Sequence, residues 1–223
     1  MDPTGNHPSR TVAPHESDER MPAKKTSSTK KATHTSKSSS AKGGATLASA
    51  RPTGATNGPT DARWWKLIER AGLGGGDEQV EKLVAALQAT SIEEIVAFDR
   101  FLSERIRDAY RSDLWAVAYL MNGGCSDDGF DYFIGWLIGK GQKHYEAALA
   151  SPPAAARGVD PDDEPFENET IWYVASKAYL AKTGKEDYEQ TLAPSIPRTL
   201  IGEPFDEETV GDLYPKLAEK FGG

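Results

Sequence analysis

The sequence predicts an all-α fold: a single multi-helix domain around a buried central helical hairpin, preceded by a disordered basic N-terminal tail. Three observations predict it. From residue 61 onward apolar residues recur at intervals of three and four, and no stretch alternates as a half-buried strand must. An apolar run over residues 114–121 and a stretch over 129–138 rich in aromatic and aliphatic residues flank an Asn-Gly-Gly turn. Residues 1–60 contain no aromatic residue, and Met1, Val12, Met21 and Leu47 are their only large apolar side chains. Such a segment cannot bury enough surface to offset the entropy of ordering.

Charge divides at the same place. Residues 1–60 carry nine Lys/Arg against four Asp/Glu, or +5; residues 61–223 carry seventeen against thirty, or −13, and the two sum to −8. The tail holds Lys24, Lys25, Lys30, Lys31, Lys37 and Lys42 with no acid among them. Free lysines on an open chain can bind phosphates by counterion release, so nucleic acid or another polyanion is a candidate partner. The plainer reading of the tail is a solubilising leader. The acidic globule itself would be repelled by nucleic acid. One cysteine, Cys125, cannot form an internal disulfide, which fits a reducing cytoplasm. No apolar run approaches the ~18 residues of a membrane span, so no membrane partner is expected.

The helices follow in order. Thr60-Asp61 reads as a cap before Trp64, Leu67 and Ile68, and Gly72 to Gly76 ends that helix. The glycines do not read as a phosphate cradle, because no strand precedes them and no Lys-Ser/Thr follows. Asp77 reads as the cap of a helix with Val80, Leu83, Val84 and Leu87 on one stripe. Ser91-Ile-Glu-Glu94 reads as a capping box, opening a helix with Ile95, Phe98, Leu102 and Ile106 inside and Asp99 in solvent. Ser112 reads as the cap of the first central helix, and Ser126-Asp127 starts the second. Gly135 and Gly139, one turn apart, leave a groove for a close helix neighbour. Helices over residues 142–150 and 168–183 follow, then a loop with three prolines over 185–204, and short helices after Asp206 and at Pro215.

Residues 110–141, Tyr-Arg-Ser-Asp-Leu-Trp-Ala-Val-Ala-Tyr-Leu-Met-Asn-Gly-Gly-Cys-Ser-Asp-Asp-Gly-Phe-Asp-Tyr-Phe-Ile-Gly-Trp-Leu-Ile-Gly-Lys-Gly, form a long and specific motif. With Trp65-Lys-Leu-Ile-Glu69, Phe166-Glu-Asn-Glu169, Tyr173-Val-Ala175 and Ala178-Tyr179, it resembles a bacterial family catalogued as domain of unknown function 4240. The resemblance spans roughly residues 63–189. It implies a shared fold and carries over no catalytic residue, cofactor or metal.

Asp127, Asp128 and Asp131 are the sharpest constellation. Offsets of three and four place them at one end of a helix and nearly on one face, where three carboxylates repel one another unless a cation or water intervenes. With Trp115, Tyr132 and Trp136 as walls, they make a candidate ligand pocket for a cationic or hydroxylated molecule. The spacing is not that of a calcium loop. The structural alternative has Asp127 capping the helix, Asp128 favouring its positive end, and Asp131 paired with Arg105 or Arg111. The aromatics are then core. Cys125 and His144 are a weak nucleophile–base pair, with no third group to orient the histidine. Arg111 and Asp113 read as a structural charge pair at the start of the first central helix. Two functions remain: a non-catalytic interaction or regulatory module with an unknown protein partner, delivered by its tail, and a small-molecule-binding or hydrolytic domain using the acidic cluster.

Overall fold

A computed structural model describes residues 59–163 and 165–222, all of them within one compact unit. The six tail lysines lie outside the described residues. Ten helices succeed one another: α1 Pro59–Ala71, α2 Asp77–Gln88, α3 Ile92–Ala109, α4 Ser112–Met121, α5 Asp127–Gly139, α6 Gln142–Ala150, α7 Val174–Thr183, α8 Tyr188–Thr191, α9 Val210–Leu213 and α10 Pro215–Phe221. Three short 3-10 turns lie between α6 and α7. Among the described residues there is no strand, only one parallel bridge between Arg111 and Ile201.

The central hairpin is α4 and α5. Asn122 and Gly123 end α4; Gly123 takes the left-handed backbone (φ 62°), and the Gly124 amide closes the turn onto the Tyr119 carbonyl at 2.8 Å. Leu114, Val117, Phe130, Phe133, Ile134, Leu137 and Ile138 are fully buried. α3, α6 and the 3-10 turn Glu169–Tyr173 cover α5, while α10 and the 3-10 turn Pro152–Ala156 cover α4. α1 brings Trp64 edge-on to Phe98 and Trp65 edge-on to Phe101, seating the first helix on α3.

What approaches Gly135 and Gly139 is loop backbone, not a helix. A Cβ on Gly135 would collide with the Asn168 carbonyl and lie 2.9 Å from Ile171. One on Gly139 would lie 2.8 Å from the Gly75 Cα. The Gly72–Gly76 turn is thus folded onto the end of α5. The Gln79 amide secures it by donating to the Gly72 carbonyl and, at 2.9 Å, to that of Gly139.

Several expected caps move by one residue or change partner. Ser91 does cap α3 through the Glu94 amide, but the Glu94 carboxylate turns to Arg63 at 2.5 Å instead of back to the cap. The residue before α2 is Gly76, with Asp77 inside the first turn. α4 begins at Ser112 itself after an extended Arg111, and the Ser112 hydroxyl donates to the Glu203 carbonyl at 2.5 Å instead of capping the helix. Ser126, not Asp127, caps α5 by accepting from the Gly129 amide. Asp206 closes a turn, and α9 begins only at Val210.

Asp99 is half-buried instead of solvated, and it accepts from the Tyr188 hydroxyl at 2.8 Å. Burial pushes its carboxyl from 3.8 up to about 6; the Tyr188 bond opposes this and Glu189 adds to it. Between those values the folded chain holds a proton that the unfolded chain has lost. Stability from this group is therefore full below about pH 4 and lost as pH rises through about 6, roughly 3 kcal/mol in all. The Asp99→Asn variant is expected to gain stability relative to the parent over that window, as read by urea unfolding at a series of pH values. A difference that stays flat with pH would contradict the buried carboxylate.

Candidate functional site

The most elaborated surface is the outer face of the central hairpin, where the chain returns between α8 and α9 as an extended strap. Three sets of contacts hold the strap. Ile201 pairs by main chain: the Ser112 amide donates to its carbonyl at 2.9 Å, and its own amide donates to the Tyr110 carbonyl at 3.1 Å. Arg198 places both terminal nitrogens 2.5 Å from the two oxygens of Asp131. The same guanidinium lies 4.7 Å from the Tyr110 ring and 5.5 Å from the Trp172 ring. A planar fork between two π faces and a carboxylate is the geometry that favours arginine over lysine. Further along, Phe205 stands edge-on to Trp115 and Tyr119, and the Tyr119 hydroxyl donates to Glu207 at 3.2 Å.

Between the strap and α4 lies a cleft of about 160 Å³ lined by Ser112, Trp115, Cys125, Leu200, Pro204, Phe205 and Glu207. Trp115 stacks on Phe130, with ring centroids 5.0 Å apart, and its indole N–H donates to the Cys125 carbonyl at 2.9 Å. Burial, then the nearby Glu167 carboxylate, pushes the Cys125 thiol up to about 12. The thiol is therefore protonated at neutral pH and a poor nucleophile.

The six residues expected to form a ligand pocket do not together line this cleft, although Asp127, Asp128, Asp131 and Tyr132 share the first two turns of α5. Only Trp115 lines the cleft. Asp131 is half-buried beneath Arg198, whereas Asp127 and Asp128 are exposed on the first turn of α5. Tyr132 is half-buried near Glu169 and Asp128, and burial pushes its hydroxyl up. Trp136 lies in the core against Phe133, Phe166 and His144.

The expected partners of Asp131 are occupied elsewhere. Arg105, 5% exposed in its side chain, pairs with Asp61 and Asp108. Arg111 pairs with Asp113, as its spacing suggests, and donates to the Leu149 carbonyl at 2.8 Å. His144 donates to the Ala155 carbonyl at 2.9 Å, and burial lowers its imidazole pKa. Its ring is thus committed to packing beside Trp136, not to Cys125. Among the described residues no three His, Cys, Asp or Glu converge as a metal site.

The matched residues of a family model described as Protein of unknown function (DUF4240) are 60–181, more than half of the chain. The chain belongs to this family. No curated protein and no solved structure matches it. The DUF4240 match takes in α1 to α6 and nearly all of α7, and with them Tyr110, Ser112, Trp115, Tyr119, Asp131 and Trp172. The strap residues Arg198, Ile201 and Phe205 lie beyond the DUF4240 match, and sequence reasoning took residues 185–204, which include the first two, for a plain surface loop. A signal was present: Arg198 is the only cation between residues 186 and 215.

Proposed function

We propose that this chain is a non-catalytic helical interaction module of the bacterial cytoplasm, brought by its basic tail to nucleic acid or another polyanion. The observation that carries this reading is the use of the reactive side chains around the hairpin as structural ties. Asp131 is forked to Arg198, His144 is bonded to a backbone carbonyl, and the Cys125 thiol is held protonated. The alternative, a small-molecule or hydrolytic site on the acidic cluster, is less supported because both Asp131 oxygens are engaged. The split of +5 against −13 supports delivery by the tail. A cytoplasmic location is supported by the lone cysteine, and no described helix is long and apolar enough to cross a membrane.

Chromatography on immobilised plasmid DNA across a salt series tests the delivery. The full chain is expected to be retained at low salt and released steeply as salt rises, while a variant lacking residues 1–58 passes through. Identical elution of the two proteins would end this reading of the tail.

A further inference from the structure

The strap is seated on the hairpin as a bound peptide would be. It lies parallel to the backbone at Tyr110–Ser112 and exchanges main-chain hydrogen bonds there. It delivers one arginine into a cage of two aromatic rings and a carboxylate, and one phenylalanine to a pair of aromatic rings seven residues later. Main-chain pairing for affinity with side-chain pockets for selection is how sheet edges and similar clefts receive extended peptides.

Two features make the strap an exchangeable occupant. Its own side chains bury little: Ile201 is 44% exposed, Ser195, Pro197, Arg198, Thr199, Glu203 and Pro204 are exposed as well, and Ile196, Leu200 and Phe205 are only half-buried. With so little apolar surface removed from water, local detachment is inexpensive compared with opening the core. The fit is also incomplete. The cleft of about 160 Å³ beside Leu200 and Pro204 is open to solvent and is not filled by the strap. An occupant with a larger side chain there would fill space the strap leaves open.

We infer that this face is a peptide-binding groove occupied in cis by the strap. In trans it takes an extended segment of another protein bearing an arginine and, two and seven residues on, large apolar side chains. The inference rests on the reading of the domain as an interaction module and names its partner class. The strap thereby acts as a competitor, and Arg198 sets how strongly it competes. Tyr110, Asp131 and Trp172 form the selective end, Trp115 and Tyr119 the apolar end, and all five lie within the family match.

A fluorescently labelled peptide of residues 194–208 serves as the probe, and its anisotropy is measured against the full-length chain. The wild type is expected to bind it weakly. Arg198→Ala, with its helical content checked by circular dichroism, is expected to bind at least ten-fold more tightly. Adding Asp131→Asn to that variant, or replacing the peptide's own arginine by alanine, is expected to reverse the gain. Arg198→Lys, which keeps the charge and loses the fork, stands in should the alanine variant fail to fold, and is expected to fall between the two.

Equal binding by wild type and Arg198→Ala, or tighter binding indifferent to Asp131, overturns the proposal. So does a variant that dimerises in sedimentation without taking up peptide, since that assigns the groove to the strap of a second copy. Retention on DNA reads the tail alone, so loss of peptide uptake with DNA retention intact removes the groove and leaves the delivery reading standing.

Discussion

Replacing Gly135 by alanine is expected to destabilise the domain by about 2–4 kcal/mol, although alanine is the better helix former by about 1 kcal/mol. The reason is the immobility of what the methyl meets. The Asn168 carbonyl lies inside contact range of an added Cβ, and Ile171 stands 2.9 Å away. Asn168 is buried, its amide donates to the Tyr132 carbonyl at 2.9 Å, and its side chain caps the following turn through the Ile171 amide at 3.2 Å. The segment cannot retreat without breaking both bonds. Gly129→Ala is the matched control on the same helix: its nearest neighbour would be the Ser126 hydroxyl at 3.4 Å, an ordinary contact. That variant is expected to be neutral or up to about 1 kcal/mol more stable. Urea unfolding of both separates the cases, and equal midpoints would refute the close approach at Gly135.

Replacing Arg105 by leucine is expected to cost about 2–3 kcal/mol, below the roughly 3–5 kcal/mol for stranding a fully buried charge, because Asp108 keeps Arg107 as a partner. Its guanidinium bridges Asp61 of α1 at 3.2 Å and Asp108 of α3 at 3.1 Å. Those carboxylate side chains are only 17% and 15% exposed; Asp108 keeps Arg107 at 2.9 Å, so the loss falls mainly on Asp61, which does not recover full hydration when the cation is gone. The Tyr145 hydroxyl donates to the Arg105 carbonyl at 2.6 Å, placing α6 against the same turn. Salt distinguishes this site from a surface pair. In 1 M NaCl the loss is expected to persist nearly in full, whereas the exposed Lys82–Glu78 pair contributes little at any salt. A loss below about 1 kcal/mol on denaturant unfolding would show the cluster to be solvated in practice.

Arg105 also shows where sequence reading stopped. Its position on α3 is legible, since Ile95, Phe98, Leu102 and Ile106 mark the inner stripe. Its role is not, because Asp61 lies 44 residues away and nothing local announces it. Asp99 is the same case: read alone it belongs to the solvated face, until Tyr188 arrives 89 residues later. The caps divide on similar lines. Ser91 and Ser126 act on amides three residues ahead, and the spacing announces them. Ser112 is drawn away by Glu203, 91 residues along the chain.

The candidate acids follow this pattern. Their placement on the first turns of α5 follows from the Ser126 cap and the helical period, both local. That Asp131 faces a cation while Asp127 and Asp128 face solvent depends on the strap, which crosses the hairpin from 67 residues away.

The sequence alone therefore determined nine of the ten helices, the buried hairpin and the family, because helical periodicity and glycine turns act over a few residues. The short α8 lies within the segment read as a loop, and residues 169–173 form a 3-10 turn ahead of α7. Only the tertiary structure decided which charge meets which, what presses on Gly135, and that a lone arginine closes over the hairpin. A carboxylate pairs with whichever cation the finished fold brings within about 4 Å, and burial then sets the strength of that pair.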